Sequence, residues 1–123
     1  MNFLEGVIET DQKGPVINTN GVQISLEDYA TNEQLSDGRR VILGVRPEHI
    51  TVGEVTQKKG FRAIVDIEEP MGADNLLLVR FAGLNKLGVR IPGSRRYAPG
   101  SEVNLTFDMS LASLFDASTE LRI

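Results

Sequence analysis

The sequence predicts an all-β protein on three observations: apolar residues recur with a period of two, turn residues separate these runs at short intervals, and helical patterns are scarce. Alternating apolar and polar side chains are typical of a strand with one buried face. Many short strands at close spacing favour a barrel or a sandwich. We therefore expect a small β-barrel or sandwich with a few short helical turns.

The first predicted element is a hairpin around Asn20-Gly21, because both positions of that pair tolerate positive φ. It would join Val16-Ile17 to Val22-Ile24. Further along the chain, alternating runs predict half-buried strands, and two denser apolar runs predict strands covered on both faces. The alternating runs are 61–68, 87–91, 103–107 and 121–123, and the denser runs are 41–45 and 76–81.

The remaining segments predict turns and loops. Ser25–Leu35 has room for a short turn or two of helix and Asp108–Ala112 for one more, but both are too short for a stable isolated helix. The polar segment Val52–Gly60 is interpreted as a loop within one module. A length of 123 residues suits one hydrophobic core. We therefore expect a single domain.

Composition excludes several classes of partner and site. The net charge of −4 provides no positive field for nucleic acid, and we predict no nucleic-acid partner. The absence of cysteine removes disulfides, thiolate nucleophiles and cysteine-based metal sites. The longest apolar runs fall far short of the ~20 residues that cross a bilayer. The basic segment 94–97, with Arg95, Arg96 and Tyr97, is interpreted as a solvated loop, with phosphate or partner binding as the alternative.

Catalytic motifs are absent from the sequence. None of the twelve glycines has the spacing of a phosphate loop or a dinucleotide loop. His49 is the only histidine, and no Gly-x-Ser-x-Gly elbow presents a nucleophile. The adjacent carboxylates Glu68 and Glu69 would point to opposite faces of a strand. We predict no catalytic, cofactor or metal site, and no enzyme activity, for these 123 residues.

The segment Gly44–Ile50 combines a strand with a proline turn. Pro47 fixes φ and removes a ladder donor, so the strand ends there and a tight turn begins. This places Arg46 and Glu48 close to the turn. One interpretation is that they form a local ion pair that stabilises the turn. A role in communication with another domain is the alternative. His49 is more often packed or capped than functional in such a position.

The same segment, Gly-Val-Arg-Pro-Glu-His-Ile, resembles a motif of the regulatory domain that follows the ATPase domain in maltose-type and glycerol-3-phosphate-type ABC importers. Three further stretches resemble that domain in the same order: the opening segment 1–4, the turn 69–74, and the closing segments 97–100, 107–108 and 114–116. The resemblance covers nearly the whole chain. It implies a TOBE domain, an OB-like β-barrel.

The resemblance implies that residues 1–123 are a single non-catalytic TOBE-type regulatory domain whose N-terminal ATPase domain is absent from the sequence. ATP and magnesium would bind in that missing domain. The implied role is to help pair two ATPase subunits at the cytoplasmic face of the membrane. The implied partners are its own ATPase domain, a second copy of the subunit, the membrane permease subunits through the ATPase domain, and a regulatory protein.

The resemblance also selects the candidate motif and interface residues, which are Arg46, Pro47, Glu48, His49, Gly72, Asp74, Phe115 and Asp116. One departure is that Met109 and Ser113 stand where the family commonly has proline and histidine, so no role of that histidine is carried over. The alternative function is a sensor of a small ligand, either an oxyanion or a sugar phosphate. The transported substrate does not follow from this domain.

Overall fold

The computed structural model describes residues 1–54, 60–83, 85–94 and 96–123, and here the chain divides into two units of β-structure. Unit 1 comprises residues 1–45 and 108–123, and unit 2 comprises residues 46–107. The all-β prediction is confirmed. The strands are β1 (Asn2–Asp11), β2 (Gly14–Thr19), β3 (Val22–Ser25), β4 (Arg40–Val45), β5 (Ile50–Gly53), β6 (Phe61–Pro70), β7 (Asp74–Phe81), β8 (Asn85–Pro92), β9 (Glu102–Phe107) and β10 (Ser113–Asp116).

Helical structure in the described residues is limited to two single-turn 3₁₀ helices, Pro47–His49 and Met109–Leu111. The second confirms the helical turn predicted within 108–112. The turn predicted within 25–35 does not form a helix, because Tyr29 bonds back to Leu26 in one isolated turn. No helix in the described ranges is both long and apolar enough to cross a membrane.

Unit 1 is one antiparallel sheet with the strand order β10-β4-β1-β2-β3. Its β2–β3 hairpin confirms the predicted turn: Thr19 pairs with Val22, and Asn20 and Gly21 have φ values of 50° and 86°. Both positive φ values match the strand twist of a two-residue hairpin. The two ends of the chain meet in this sheet, because β10 pairs with β4 and β4 pairs with β1.

A buried tyrosine fastens the C-terminal segment to unit 1. The Tyr29 hydroxyl donates to the carbonyl oxygen of Ile123 at 2.8 Å and accepts from the backbone N–H of Leu114 at 3.1 Å. The predicted strand 121–123 is reduced to a single bridge between Phe115 and Arg122. Hydrogen bonds from one side chain thus hold two points of the closing segment.

Unit 2 is a second antiparallel sheet with the order β5-β9-β6-β7-β8. Strands β5 and β8, at opposite ends of this order, also contact each other, so the sheet curls toward a barrel. An aromatic cluster joins the buried Phe81 and Phe107 to the half-buried Phe61, with ring centroids 5.5–5.7 Å apart. Val52 and Gly53 of the predicted 52–60 loop belong instead to β5, and residues 55–59 of that loop lie outside the described residues.

A β-bulge in β6 changes which side chains face the core. Val65 pairs with Val79, but Ile67 pairs with Leu78, so Asp66 is an extra residue. The extra residue reverses the alternation, because side chains in a strand change face at each position. Ile67 is therefore exposed, contrary to the predicted alternation, while the Glu68 side chain is only 11% exposed.

The dense run 76–81 is also less covered than predicted. Leu77, Val79 and Phe81 are buried, whereas Leu76 and Leu78 are half-buried. This strand alternates between a buried and a partly solvated face, as in most antiparallel sheets.

The single regulatory domain expected over residues 1–123 stays a prediction.

Candidate functional site

The motif around Pro47 begins unit 2 as a 3₁₀ helix. Arg46 is extended, with φ −73° and ψ 146°, and Pro47 occupies the first turn, where its missing N–H costs no hydrogen bond. The backbone N–H of His49 donates to the carbonyl oxygen of Arg46 at 2.9 Å and closes the turn. This confirms the predicted proline turn. The helix packs against β8, which carries Arg90.

Arg90 links two of the candidate segments. Its Nε lies 3.3 Å from Oδ2 of Asp74, which is the first residue of β7. The pKa of Glu48 is lowered chiefly by a hydrogen bond from its own backbone N–H, and the positive charge of Arg90 lowers that pKa further. We call Arg46, Glu48, Asp74 and Arg90 the Arg90 cluster. The structure thus brings Glu48 and Asp74 into the range of one guanidinium.

The local ion pair considered for Arg46 and Glu48 does not form within 4.0 Å in the described part of the chain. Both side chains are exposed, and Arg46 is the last of the groups that lower the pKa of Glu48. The turn is therefore stabilised by Pro47 and by the backbone hydrogen bond from His49 to Arg46. The two charges stay available to solvent or to a partner.

Gly72 lies in the turn that leads into β7. Its φ is 101°, and a Cβ added there would meet no heavy atom within 4 Å, so glycine is required by conformation and not by space. The N–H of Met71 donates to the carbonyl oxygen of Asp74 at 2.9 Å across this turn. Gly72 therefore shapes the turn that presents Asp74 to Arg90.

His49 is half-buried, and its Nδ1 atom is buried without a hydrogen-bond partner in the described structure. Such an atom is uncommon, because a buried polar group normally has a partner. No group of three or more metal-ligating His, Asp or Glu side chains occurs among the described residues. The described residues therefore provide no set of side chains that would bind a metal ion together with His49.

We expect Arg90→Gln to raise the pKa of Glu48 toward its ordinary range. The rise should be partial, since the backbone hydrogen bond is the larger cause of the lowering and is retained. Carboxyl-carbon NMR titration of Glu48 measures it. The control is Arg62→Gln, which removes another exposed arginine of unit 2, paired with Glu102 at 3.1 Å. It should leave the pKa of Glu48 unchanged. An unchanged Glu48 titration in Arg90→Gln would contradict the assignment.

Unit 1 contains the other two candidates, Phe115 and Asp116. Asp116 Oδ2 lies 2.9 Å from Nη2 of Arg39, while Oδ1 accepts from the backbone N–H groups of Ser118 at 2.8 Å and Thr119 at 3.0 Å. The hydrogen bond from Thr119 is the main reason that the pKa of Asp116 is lowered, followed by Arg39. Asp116 therefore shapes the turn that follows β10.

Because the pKa of Asp116 is lowered on folding, its carboxylate stabilises the fold above the unfolded pKa of ~3.9, and this contribution is lost as pH falls through the folded pKa. We expect Asp116→Asn to lower the urea midpoint at pH 7. The difference from the unchanged chain should shrink below pH 4. Asp28→Asn, at an exposed position, serves as the control. An equal difference at pH 7 and pH 3 would contradict this role.

Phe115 packs edge-on against Phe3, with ring centroids 6.4 Å apart at 61°. Both rings lie over Gly44: a Cβ there would be 3.3 Å from the Phe115 ring, 3.4 Å from the Phe3 ring and 2.7 Å from the Met1 sulfur. The glycine that begins the proline motif therefore makes room for aromatic side chains on the sheet.

The candidate residues thus fall into two groups, one in each unit. Arg46, Pro47, Glu48, His49, Gly72 and Asp74 lie in unit 2, and Phe115 and Asp116 lie in unit 1. Sequence reasoning missed Arg39, Arg90 and Tyr29, whose partners are distant in the chain. In the basic segment, Arg95 lies outside the described residues, and Arg96 is a mostly exposed side chain 4.0 Å from Glu68.

The described fold and the sequence match known families. The family model of the TOBE domain matches residues 43–115, and that of the MalK OB fold domain matches residues 1–50. A solved structure of the cytoplasmic molybdate-binding protein ModG, with molybdate bound, is similar with a TM-score of 0.72. That similarity covers 92% of this chain and 94% of the other at 15% identity. At that identity the likeness shows the fold alone.

Curated relatives are ATP-binding proteins of ABC transporters. An uncharacterized ABC transporter ATP-binding protein, YurJ of Bacillus subtilis, is 34% identical over 98% of this chain and 34% of its own length. The sn-glycerol-3-phosphate import ATP-binding protein UgpC of Chromohalobacter salexigens is 32% identical over 95% of this chain and 30% of its own length. The chain spans about a third of these relatives. With the family model covering more than half of its residues, the chain belongs to the TOBE domain family.

Proposed function

We propose that this chain is the non-catalytic regulatory domain of the ATP-binding subunit of an ABC importer for sugars or sugar phosphates, and that it helps to pair two such subunits. The observation that carries this proposal is the combination of the MalK OB fold match over residues 1–50 with the TOBE match over residues 43–115. Relatives named as glycerol-3-phosphate and multiple-sugar transport ATP-binding proteins support the class of cargo.

The remaining parts of the proposal follow from that assignment. ATP and magnesium would bind in the ATPase domain of the same subunit, which would sit on the cytoplasmic face of the membrane and contact the permease subunits. This domain would contact its own ATPase domain and a second copy, and it would offer exposed surface to a regulatory protein. The net charge of −4 supports a protein partner over nucleic acid.

The Arg90 cluster is the part of unit 2 that we propose for communication. Its charges are at least partly exposed, and Arg90 is shared between Asp74 and the region of Glu48. Exposed ion pairs contribute little to stability, so a partner can replace them at low cost. A charged contact of this kind suits a reversible interaction that sets specificity and rate.

Charge reversal at Arg90 in the intact ATP-binding subunit tests this role. Arg90→Glu should change the amount of sugar taken up per ATP hydrolysed, while ATP hydrolysis itself is retained, since the ATPase machinery would lie in another domain of the subunit. Arg62→Glu breaks a comparable exposed ion pair in the same unit and should change neither quantity. Equal effects of the two variants, or complete loss of hydrolysis in Arg90→Glu alone, would contradict a regulatory role of the cluster.

A second candidate function is binding of an oxyanion or a sugar phosphate. It is favoured by the similarity in fold to a molybdate-bound protein. Turns with exposed backbone N–H groups are able to hold anions. Isothermal titration calorimetry of this chain with molybdate, sulfate, phosphate and glycerol 3-phosphate decides it. Saturable heat with one of these anions would support the sensor function, and no heat with any of them would remove it.

A further inference from the structure

The β2–β3 hairpin contains a chemically reactive pair of residues. Asn20-Gly21 is the one asparagine–glycine pair in the sequence, and both residues are exposed at the turn. Asparagine is a thermolabile residue, because the backbone nitrogen that follows it can attack its side-chain amide. A glycine in the next position has no side chain to hinder that attack. The turn therefore combines the features that spontaneous deamidation requires.

The reaction at this pair consumes water and releases ammonia. The nitrogen of Gly21 loses its proton and bonds to the side-chain carbonyl carbon of Asn20, and the side-chain nitrogen leaves as ammonia, which carries that proton away. The product is a five-membered succinimide ring. Water then opens the ring at one of its two carbonyl carbons and leaves an aspartate or an isoaspartate at position 20. The first step requires that the Gly21 N–H is able to lose its proton.

In the folded chain a neighbouring side chain holds this N–H. The Gly21 N–H donates to Oδ1 of Asn18 at 2.9 Å. Loss of the proton would place a negatively charged nitrogen against the lone pairs of that oxygen. The same hydrogen bond also keeps the nitrogen in its place in the turn. The contact with Asn18 therefore opposes the first step of deamidation.

Glu9 fixes the orientation of the Asn18 amide. Nδ2 of Asn18 donates to Oε1 of Glu9 at 2.8 Å. A carboxylate only accepts and a backbone N–H only donates, so both contacts are satisfied only when Oδ1 of Asn18 is turned toward Gly21. In the register of β1 and β2, Glu9 lies two positions from the residue opposite Asn18. The two side chains are therefore diagonal neighbours on one face of the sheet.

We infer that Asn20 is a site of spontaneous deamidation, and that Asn18, oriented by Glu9, keeps the reaction slow in the folded protein. The hydrogen bond to Asn18 exists only while the hairpin is formed. Unfolding, or the loss of the Asn18 side chain, leaves the Gly21 N–H to solvent and accelerates the reaction. This inference goes beyond the proposed function and does not depend on it.

Deamidation at this turn loosens the edge of the unit 1 sheet. An aspartate at position 20 adds a negative charge. An isoaspartate also adds a carbon atom to the main chain, so the two-residue turn no longer matches the pairing of Thr19 with Val22. Strand β3 lies at the edge of the sheet and carries the buried Ile24. A weakened turn therefore uncovers a core residue.

Peptide mapping by mass spectrometry measures deamidation of the 123-residue chain at mildly alkaline pH. Asn20 should react at least about threefold more slowly in the folded chain than in the same chain unfolded in guanidinium chloride, since at least one hydrogen bond must break first. Asn32, which is exposed and precedes Glu33, is the internal control and should stay intact. Equal rates at Asn20 in both states would overturn the protection, and no reaction in the unfolded chain would overturn the site.

Substitution isolates the role of Asn18. In Asn18→Ala, Asn20 should deamidate about three- to tenfold faster than in the unchanged folded chain, which corresponds to one lost hydrogen bond. The matched control is Gln23→Ala. It removes the side chain opposite Asn18 on β3, which also lies within 3.5 Å of Glu9, and leaves the contact with Gly21 in place. The control should deamidate at the rate of the unchanged chain.

Hydrogen exchange separates this local role from a loss of folding. In Asn18→Ala, exchange of the Gly21 N–H should quicken while the amides of β1 and β2 stay protected. A folded Asn18→Ala chain that deamidates no faster than Gln23→Ala would overturn the inference. If Asn18→Ala unfolds, Glu9→Ala provides the test, because it removes only the group that orients the Asn18 amide. Its rate at Asn20 should exceed that of Gln23→Ala, and equal rates would overturn the role of Asn18.

Discussion

Replacing Phe81 by alanine is expected to lower the free energy of unfolding by about 3–5 kcal/mol. Phe81 is buried in unit 2 and packs edge-on against both Phe61 and Phe107, so its removal leaves a cavity and also breaks two aromatic contacts. Urea unfolding followed by circular dichroism measures the loss. The curled sheet of unit 2 would then be the first part of the chain to unfold.

The matched control for this change is Met71→Ala. It removes a large apolar side chain from an exposed position in the same unit and should alter the free energy of unfolding by about 0.5 kcal/mol or less. Comparable losses for the two variants would contradict the placement of Phe81 at the centre of unit 2.

Leu114→Ala should cost about 2–5 kcal/mol of unfolding free energy. Leu114 is buried on β10 and lies in register with Leu43, which lies in register with Leu4, so it holds the closing segment against the opening strand. Limited proteolysis adds a local readout, because loss of this contact should expose residues 113–123 to cleavage.

The matched control is Leu111→Ala, three residues earlier in the same segment. Its side chain is 54% exposed, and its loss should change stability by about 0.5 kcal/mol or less. If Leu114→Ala were as mild as Leu111→Ala, the closing segment would not be part of the unit 1 core.

The features that sequence predicted well are those set by local chemistry. Asn20-Gly21 forms the predicted hairpin because its two positive φ values are a property of the residues themselves. Pro47 ends a strand and begins a turn because of its fixed φ and missing N–H. The family assignment rests on four such local segments, and the TOBE match confirms it.

The sequence pattern does not predict strand β1, because the positions that face the core are not all apolar. Leu4 and Ile8 are buried, but the position between them is Gly6. A Cβ at Gly6 would lie 2.5 Å from Ile17 and 2.7 Å from the carbonyl oxygen of Asn18. The close approach of a neighbouring strand selects the glycine, and that approach is visible only in three dimensions.

The exposure of Ile67 was unpredictable for a related reason. The extra residue at Asp66 reverses the faces of β6, and no local sequence signal marks a bulge at an aspartate between two apolar residues. Likewise, alternation places Arg90 on the polar face of β8, but its pairing with Asp74 depends on the register of two strands. The pairing register of two strands cannot be deduced from the residue pattern of a single sequence.

The pairing role of the domain is tested most directly by sedimentation velocity of the intact ATP-binding subunit and of a form that lacks residues 1–123, both free of nucleotide. We expect a dimer for the intact subunit and a monomer for the shortened form at the same concentration, since the shortened form lacks the domain that we propose for pairing. Dimers of equal stability in both would contradict a pairing role for this domain.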